Sequence, residues 1–443
     1  MIWIELVILL ACILVGARLG GIALGTVAGI GLAIFVFVFA LPPGGPPQGV
    51  LGMIIAVITA LAAMQAAGGL DYLVSVAERI MRRHPQYITF IAPVATYILV
   101  FAAGTQNVIY ALLPVIAEVS RKGGIRPERP LSISVIASFQ AALASPVSAA
   151  TVAMIGIFTA SGITLPRLLM ITVPSTFIAV MIGALSVAWR GKNLSDDPEY
   201  QRRLMSGEVK PPETLLHLHD EKLTNARGSA ALFLVGILLV VLIGIFPSFR
   251  PAYEVVKSGL VDTDQVSMGN AIMIVMIAVA GLTMILFKAS PEVTLKGTIM
   301  RSGMTAIISI LGVSWLGSSF FEGNRTFIVN GISDLVQLYP SAFAAGMFIL
   351  STLLFSQAAT VSLLMPVGMA LGLPVPLLIA FYPAAGGLFF LPTYGTMLAA
   401  VSFDQTGTTR IGKYLLNHSF MLPGLVTITS TVVIALWLSR VLY

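Results

Sequence analysis

Charged residues make up only 10% of the 443 residues, and the chain holds one cysteine and four histidines. Ordinary soluble domains carry about 25% charged residues, so scarcity on this scale argues against a soluble fold. A single cysteine, Cys12, permits no disulfide framework and no cysteine-based metal site within one chain. His84, His217, His219 and His418 are scattered, with no His-Glu-x-x-His and no spacing that suggests a Ser/His/Asp set. A membrane enzyme is therefore disfavoured, and neither metal nor cofactor is expected. The N-terminus lacks the basic region and small-residue cleavage site of a signal peptide, so its first apolar segment is expected to stay as a span.

What is abundant is apolar sequence: 57% of residues are hydrophobic and the mean hydropathy is +0.96. Segments such as 3–15 and 22–41 are apolar all round rather than on one stripe. A spanning helix needs about 20 apolar residues to cross a hydrocarbon core of about 30 Å. Such segments fall near 3–17, 20–41, 50–70, 88–119, 131–160 and 165–189. After a polar stretch over 190–227 they resume at 228–247, 268–288, 296–320, 341–371, 377–402 and 418–440. The net charge of +6 sits mostly in short loops beside these segments, a footprint of topology rather than of nucleic-acid binding.

An internal repeat is visible. Gly104-Thr-Gln-Asn followed by Leu112-Leu-Pro114-Val resembles Ser356-Gln-Ala-Ala-Thr followed by Leu364-Met-Pro366-Val, at a shift that carries Gln106 onto Gln357. Ala144-Ser-Pro-Val-Ser148 then falls opposite Leu391-Pro-Thr-Tyr-Gly-Thr396. Loop charge tests the relative orientation of the two halves, because lysine and arginine favour the cytoplasmic side. The loop 77–87 carries Arg79, Arg82 and Arg83, and 121–130 carries Arg121, Lys122, Arg126 and Arg129. Their second-half counterparts hold only Arg325 (323–340) and no charge (372–376). Corresponding loops thus fall on opposite sides, as an inverted-topology repeat requires. The expected fold is an all-α polytopic membrane protein of two inverted repeats. It has about ten transmembrane helices of about 20 residues, plus two re-entrant hairpins. The first repeat covers 1–189, with hairpin 88–119 and broken helix 131–160. A cytoplasmic linker covers 190–227. The second repeat covers 228–443, with hairpin 341–371 and broken helix 377–402, and both termini are expected in the periplasm.

Non-helical backbone at membrane depth survives only where protein or a watery cavity satisfies it, and paired interruptions in two halves of a transporter point to its substrate site. The interruptions contribute Thr105, Gln106 and Asn107; Ser145 and Ser148 around Pro146; Ser356, Gln357 and Thr360; and Thr393, Tyr394 and Thr396 beside Pro392. Free N–H groups at the start of a half-helix suit a carboxylate. Hydroxyls in membrane helices often bond their own backbone, so the reading rests on the clusters together. Arg410, after the last interruption, could clamp a carboxylate with its guanidinium or mark topology. The glycines 16, 20, 21, 25 and 29 have the spacing of close helix packing. A channel would favour a symmetric pore-lining motif, whereas this pattern fits alternating access.

At these same motifs the sequence resembles the anaerobic C4-dicarboxylate transporter family of the Dcu A/B type. The resemblance runs nearly end to end, through Gly16-Ala-Arg-Leu-Gly-Gly21, Gln65-Ala-Ala-Gly-Gly-Leu-Asp71, Ala144-Ser-Pro-Val-Ser148, Leu194-Ser-Asp-Asp-Pro198 and Ser356-Gln-Ala-Ala359. It continues through Leu391-Pro-Thr-Tyr394, Thr406-Gly-Thr-Thr409 and Asn417-His-Ser-Phe-Met-Leu-Pro-Gly424. It implies exchange of fumarate, succinate, malate and aspartate across a bacterial inner membrane, as in anaerobic respiration. Gln106 stands where the resemblance implies glycine, and Gly395 where it implies proline. A more distant resemblance, to the ion-transporter superfamily that includes sodium-coupled dicarboxylate carriers, implies a dimerising scaffold domain and a mobile transport domain. A carrier for another small carboxylate or an amino acid, coupled to an ion, is the alternative.

Overall fold

The computed structural model describes the chain apart from residues 1, 20, 47, 159–160, 208–219, 258–259, 328–337, 393, 413–415 and 443. The expectations for Thr393, Gly20, His217 and His219 therefore lie outside the described residues.

Uninterrupted apolar runs become helices: α1 (Ile2–Leu19), α2 (Ala23–Ala33, continued by a π-helical turn) and α3 (Gln48–Ala66). Gly68, with φ of 83°, turns the chain into the amphipathic α4 (Gly69–Arg83), bent by 71° from the helix before it. Next come α5 (Ile88–Ala103), α6 (Ile109–Lys122), α7 (Glu128–Ala144), α8 (Ala149–Phe158) and α9 (Leu165–Val187). The polar stretch holds α10 (Pro198–Met205) and leads into α11 (Asp220–Ile245). An antiparallel pair, β1 (Ala252–Lys257) and β2 (Leu260–Gln265), follows. This hairpin is the departure from an all-helical reading; its sequence is rich in the β-branched residues that favour extended backbone. The remainder is α12 (Met268–Leu286), α13 (Pro291–Lys296), α14 (Thr298–Gly323), α15 (Ser341–Leu354), α16 (Gln357–Ala370), α17 (Val375–Phe381, continued by a 3-10 turn), α18 (Gly395–Phe403) and α19 (Met421–Leu442).

Among the described residues, seven helices are long and apolar enough to cross a membrane, or eight if the bent α3–α4 pair is one span. That is fewer than the about ten expected from apolar length alone. The difference lies where apolar sequence is cut into shorter helices, among them Ile2–Gly16, Ala23–Val38, Ser341–Leu354 and Gln357–Ala370.

The segments 88–119 and 341–371 follow the same backbone path at their interruptions. α5 ends on Gly104 in the left-handed region (φ 66°), and Thr105 is extended (φ −142°, ψ 132°). α15 ends on Phe355, also left-handed (φ 50°), and Ser356 is extended (φ −146°, ψ 114°). In each the extended residue turns its hydroxyl back to accept a backbone N–H two or three residues on: Asn107 N–H to Thr105 Oγ1 (3.3 Å) and Ala359 N–H to Ser356 Oγ (3.1 Å). This is the N-cap device that lets a helix restart. Glycine is required at 104 twice over, by its φ and because a β-carbon there would lie 2.8 Å from the Val147 carbonyl oxygen.

The core divides unequally. A small apolar cluster joins α1, α2 and α14 to the tip of α15–α16, through Ile13, Leu24, Phe35, Val313, Leu316 and Leu354. A larger one fills the space among α3, α5, α6, α7, α8, α9, α17 and α19. In the glycine series, Gly25 meets α14 so closely that a β-carbon would overlap the Ile308 carbonyl, and Gly312 meets the Gly25 backbone in return. Close helix packing is thus the role of Gly25, whereas Gly29 has open space beside it. Replacing Gly25 with valine should force these backbones apart at a cost of about 1–3 kcal/mol. Thermal unfolding of the detergent-solubilised protein should show a lower midpoint, and an unchanged midpoint would mean α2 and α14 separate freely.

Candidate functional site

All four interruptions reach one cavity of about 370 Å³. One wall comes from α2, α3 and α14 and is largely apolar, with Leu24, Ile54, Val57, Leu61, Ile299 and Gly303. The opposite wall is built by the chain breaks: Thr105, Gln106 and Asn107 from the first, Ser148 to Ala150 from the second, Ser356 to Ala358 from the third and Tyr394 from the fourth. None of its lining residues carries a formal charge.

Hydroxyls and backbone N–H groups therefore supply the polarity. The first N–H groups of a helix have no carbonyl within the helix to pair with. At the start of α16, Ser356 Oγ accepts from Ala359 and the Ser356 carbonyl accepts from Thr360 (3.1 Å). That leaves the N–H groups of Gln357 and Ala358, two cavity-lining residues, without a helical acceptor. The start of α8 repeats the arrangement. Ser148 Oγ accepts from the Thr151 N–H (3.2 Å) and the Ser148 carbonyl accepts from Val152 (2.9 Å). The N–H groups of Ala149 and Ala150, which also line the cavity, are the ones left over. α8 and α16 pack against each other, so two positive helix ends meet at one cavity.

The breaks are tied to one another across the chain. Gln106 donates its side-chain amide to the Tyr394 hydroxyl, linking the first break to the fourth. Gln357 donates to the Phe139 carbonyl (2.9 Å), linking the third break to α7, which leads to the second. Tyr394 lies edge-on to Phe139, ring centres 5.4 Å apart, and stacks on Phe355 at 6.3 Å. Ser148 also donates to Thr151 (3.0 Å), which shares a hydrogen bond with the Tyr382 hydroxyl (3.0 Å).

The remaining residues singled out from sequence lie outside the lining. Ser145 is buried and donates to the Phe101 carbonyl (2.6 Å), fastening the second break to α5. Thr360 donates to the Ser356 carbonyl (2.8 Å) within its own helix. Thr396 is buried in the first turn of α18, and its hydroxyl has no hydrogen-bond partner among the described residues. Arg410 is exposed, and its backbone N–H donates to Ser419 Oγ (3.0 Å). Sequence reading overlooked the alanines 149, 150 and 358 because their contribution is backbone; the available signal was their place directly after a capping serine. It also overlooked the apolar wall, whose residues look like any other span.

The Thr406-Gly-Thr-Thr409 motif has a structural explanation. The buried Asp404 carboxylate accepts from the N–H groups of Thr406 (2.9 Å) and Thr409 (2.6 Å) and from the hydroxyls of Thr406 and Thr408 (2.8 Å). Thr408 Oγ1 in turn accepts from the Glu128 N–H at the start of α7 (3.2 Å). Glu128 holds Arg126 (2.7 Å) and accepts from Ser419 Oγ (2.8 Å). One buried carboxylate thus fixes the loop after α18 to the far end of the half-helix that carries the second break.

An uncharged cavity walled by paired half-helix ends, within a bundle of apolar helices, is the arrangement of a membrane transporter. The family model described as anaerobic C4-dicarboxylate membrane transporter matches residues 1–443. The C4-dicarboxylate transporter DcuA of Escherichia coli K12 is 42% identical over 429 residues, 96% of each chain. DcuA of Wolinella succinogenes is 41% identical over 442 residues, 100% of each. The anaerobic C4-dicarboxylate transporter DcuB of Shigella flexneri is 39% identical over 451 residues, 99% of this chain and 98% of that one. The chain belongs to the anaerobic C4-dicarboxylate membrane transporter family, whose named members are membrane transporters and not enzymes.

Replacing Asp404 with alanine would strand a set of buried donors, each costing about 1–3 kcal/mol when left unmade. The variant should melt lower and yield less folded protein than wild type, and a wild-type melting curve would remove Asp404 from this role.

Proposed function

We propose that this chain exchanges four-carbon dicarboxylates such as fumarate, succinate, malate and aspartate across a bacterial inner membrane by alternating access. The observation that carries the reading is a cavity whose described lining has no formal charge and includes the first residues of two half-helices, whose N–H groups have no acceptor within the helix. A dicarboxylate offers two carboxylates to two such ends. One carboxylate would sit on the N–H groups of Gln357 and Ala358, the other on those of Ala149 and Ala150. Thr105, Gln106, Asn107, Ser148, Ser356 and Tyr394 complete the cage, and Ser145 and Thr360 hold the breaks in shape. Arg410 is left outside this cage.

Antiport follows from the same electrostatics. Without an anion two positive helix ends stand at one cavity with no charge to offset them. Reorientation of the empty carrier is then slow, and movement with an anion bound is favoured in either direction. The two halves are read as inverted repeats, 1–189 and 228–443, whose re-entrant hairpins meet at the site. The wall of α2, α3 and α14 is assigned to a scaffold that pairs with a second copy. The breaks are assigned to a transport unit that moves against it. Both termini are assigned to the periplasm, and the linker to the cytoplasm.

In proteoliposomes loaded with succinate, uptake of labelled succinate should depend on the internal anion and be competed by fumarate, malate and aspartate. Thr105→Ala combined with Ser148→Ala, both in the cage, should lower that counterflow at least tenfold at equal protein, about 1.4 kcal/mol of lost anion stabilisation. Wild-type exchange by the double variant would defeat the assignment of the cage. Conductance in place of counterflow would defeat the carrier reading itself.

A further inference from the structure

Beyond the cavity, α4 presents a face that exchange does not use. Two apolar helices, α3 and α5, flank it in sequence. The 71° bend at Gly68 turns α4 away from the direction of α3. A sharp turn out of an apolar helix into one with an exposed charged face suits a chain that leaves the hydrocarbon there. Gly69, Leu70, Ala77 and Met81 are buried against the bundle. Val76 (37% exposed), Arg79, Ile80 (50%) and Arg83 form the outward stripe, at the i, i+3, i+4, i+7 spacing of one helix face. Tyr87, just beyond, is 59% exposed.

The charges on this helix are sorted. Arg82, on the inner side of the stripe, is matched by Glu78 (2.7 Å) and Glu118 (2.9 Å), and Glu118 also holds Lys122 (2.7 Å). Arg79 and Arg83 have no acidic partner among the described residues. The exposed acid of the helix, Asp71, lies at its opposite end. Valine and isoleucine interleaved with unmatched arginines suit neither bulk water nor hydrocarbon. Apolar side chains can dip into the acyl boundary while guanidinium groups reach phosphate, and an exposed tyrosine is at home at the same depth.

We propose that the Val76–Arg79–Ile80–Arg83 stripe of α4 is a binding surface for anionic phospholipid headgroups at the membrane boundary. Valine and isoleucine seat the helix, and the two arginines select an anionic headgroup over a zwitterionic one. Near an anionic surface each arginine contributes about fivefold, so the pair should give a preference of about 25-fold.

The test needs no transport. In a Cys12→Ala background, a fluorophore on Gln86→Cys reports lipid beside α4 in full-length protein reconstituted in phosphatidylcholine. Brominated phosphatidylglycerol should quench it at far lower mole fraction than brominated phosphatidylcholine. Arg79→Gln with Arg83→Gln should abolish that selectivity, whereas Arg79→Lys with Arg83→Lys should keep most of it. Equal quenching by the two lipids, or selectivity that survives the glutamine pair, overturns the proposal. Quenching by neither lipid would put α4 away from the bilayer, leaving a protein surface as its partner, and also overturns it. Because counterflow is not the readout, a negative result here leaves the exchange reading standing, and the converse holds.

Discussion

The backbone N–H groups stranded where helices restart inside an apolar bundle are the constraint on which the rest of the structure depends. A continuous helix satisfies its interior amides itself, and a restarted one leaves its first turn open. Lipid cannot fill that gap, so each restart must be placed against protein or a polar cavity. Ser356 and Ser148 each absorb one donor through their side chains and one through their carbonyls. What remains is a pair of N–H groups per helix, both pairs belonging to residues that line the same cavity. Gly104 at the first tip and the left-handed Phe355 at the second are the conformations needed to bring those starts there.

The absence of a cationic side chain among the described residues of the cavity has consequences of its own. A buried arginine or lysine would need its own counter-charge whenever the site stood empty, and an unmatched buried ion costs several kcal/mol. Helix ends supply a weaker, distributed positive potential that is tolerable without an anion and useful with one. They are also rigid only if their helices are, which is why the hydrogen bonds between breaks matter. Gln106 to Tyr394 and Gln357 to the Phe139 carbonyl tie breaks that are far apart in sequence. At the other end of α7, Asp404 and Glu128 fix the loop that follows α18. The half-helices are thereby held at both ends, near the cavity and remote from it.

How much of this was legible in the sequence differs by level. Apolar runs gave the helices, because length and uniform hydrophobicity are all that a span needs. The positions of the interruptions were legible as well, since Gly104, Pro146, Ser356 and Pro392 are visible departures from helical sequence. That the four interruptions line one cavity could be anticipated only from the repeated motifs. The alanines 149, 150 and 358 could not be picked out by chemistry, because a main-chain donor has no side-chain signature. Arg410 illustrates the opposite difficulty. A guanidinium beside a threonine-rich motif looks like an anion clamp, yet those threonines serve the Asp404 carboxylate, a contact fixed by loop geometry that spacing does not reveal. The β1–β2 hairpin was missed because attention to apolar length passes over polar, β-branched stretches.

Gln106 and Gly395, the two positions where the chain departs from the pattern its resemblance implies, converge on neighbouring aromatic rings. The Gln106 amide donates to the Tyr394 hydroxyl, while its own carbonyl oxygen is buried without a partner among the described residues. A side chain at 395 would run into the Tyr110 hydroxyl, so glycine there lets α6 close on the start of α18. A glycine at 106 would free Tyr394 of its donor, and a proline at 395 would drive Tyr110 away. Either change alone would loosen the same corner, between the first break and the fourth. The two positions therefore bear on one corner, Gln106 by bonding Tyr394 and Gly395 by leaving room for Tyr110. Since Tyr394 is packed between Phe139 and Phe355, its hydroxyl has little freedom to follow a different partner. At that corner the cavity is lined by Gln106 and Tyr394, two side chains that a hydrogen bond holds together, rather than by the helix ends that hold the charge.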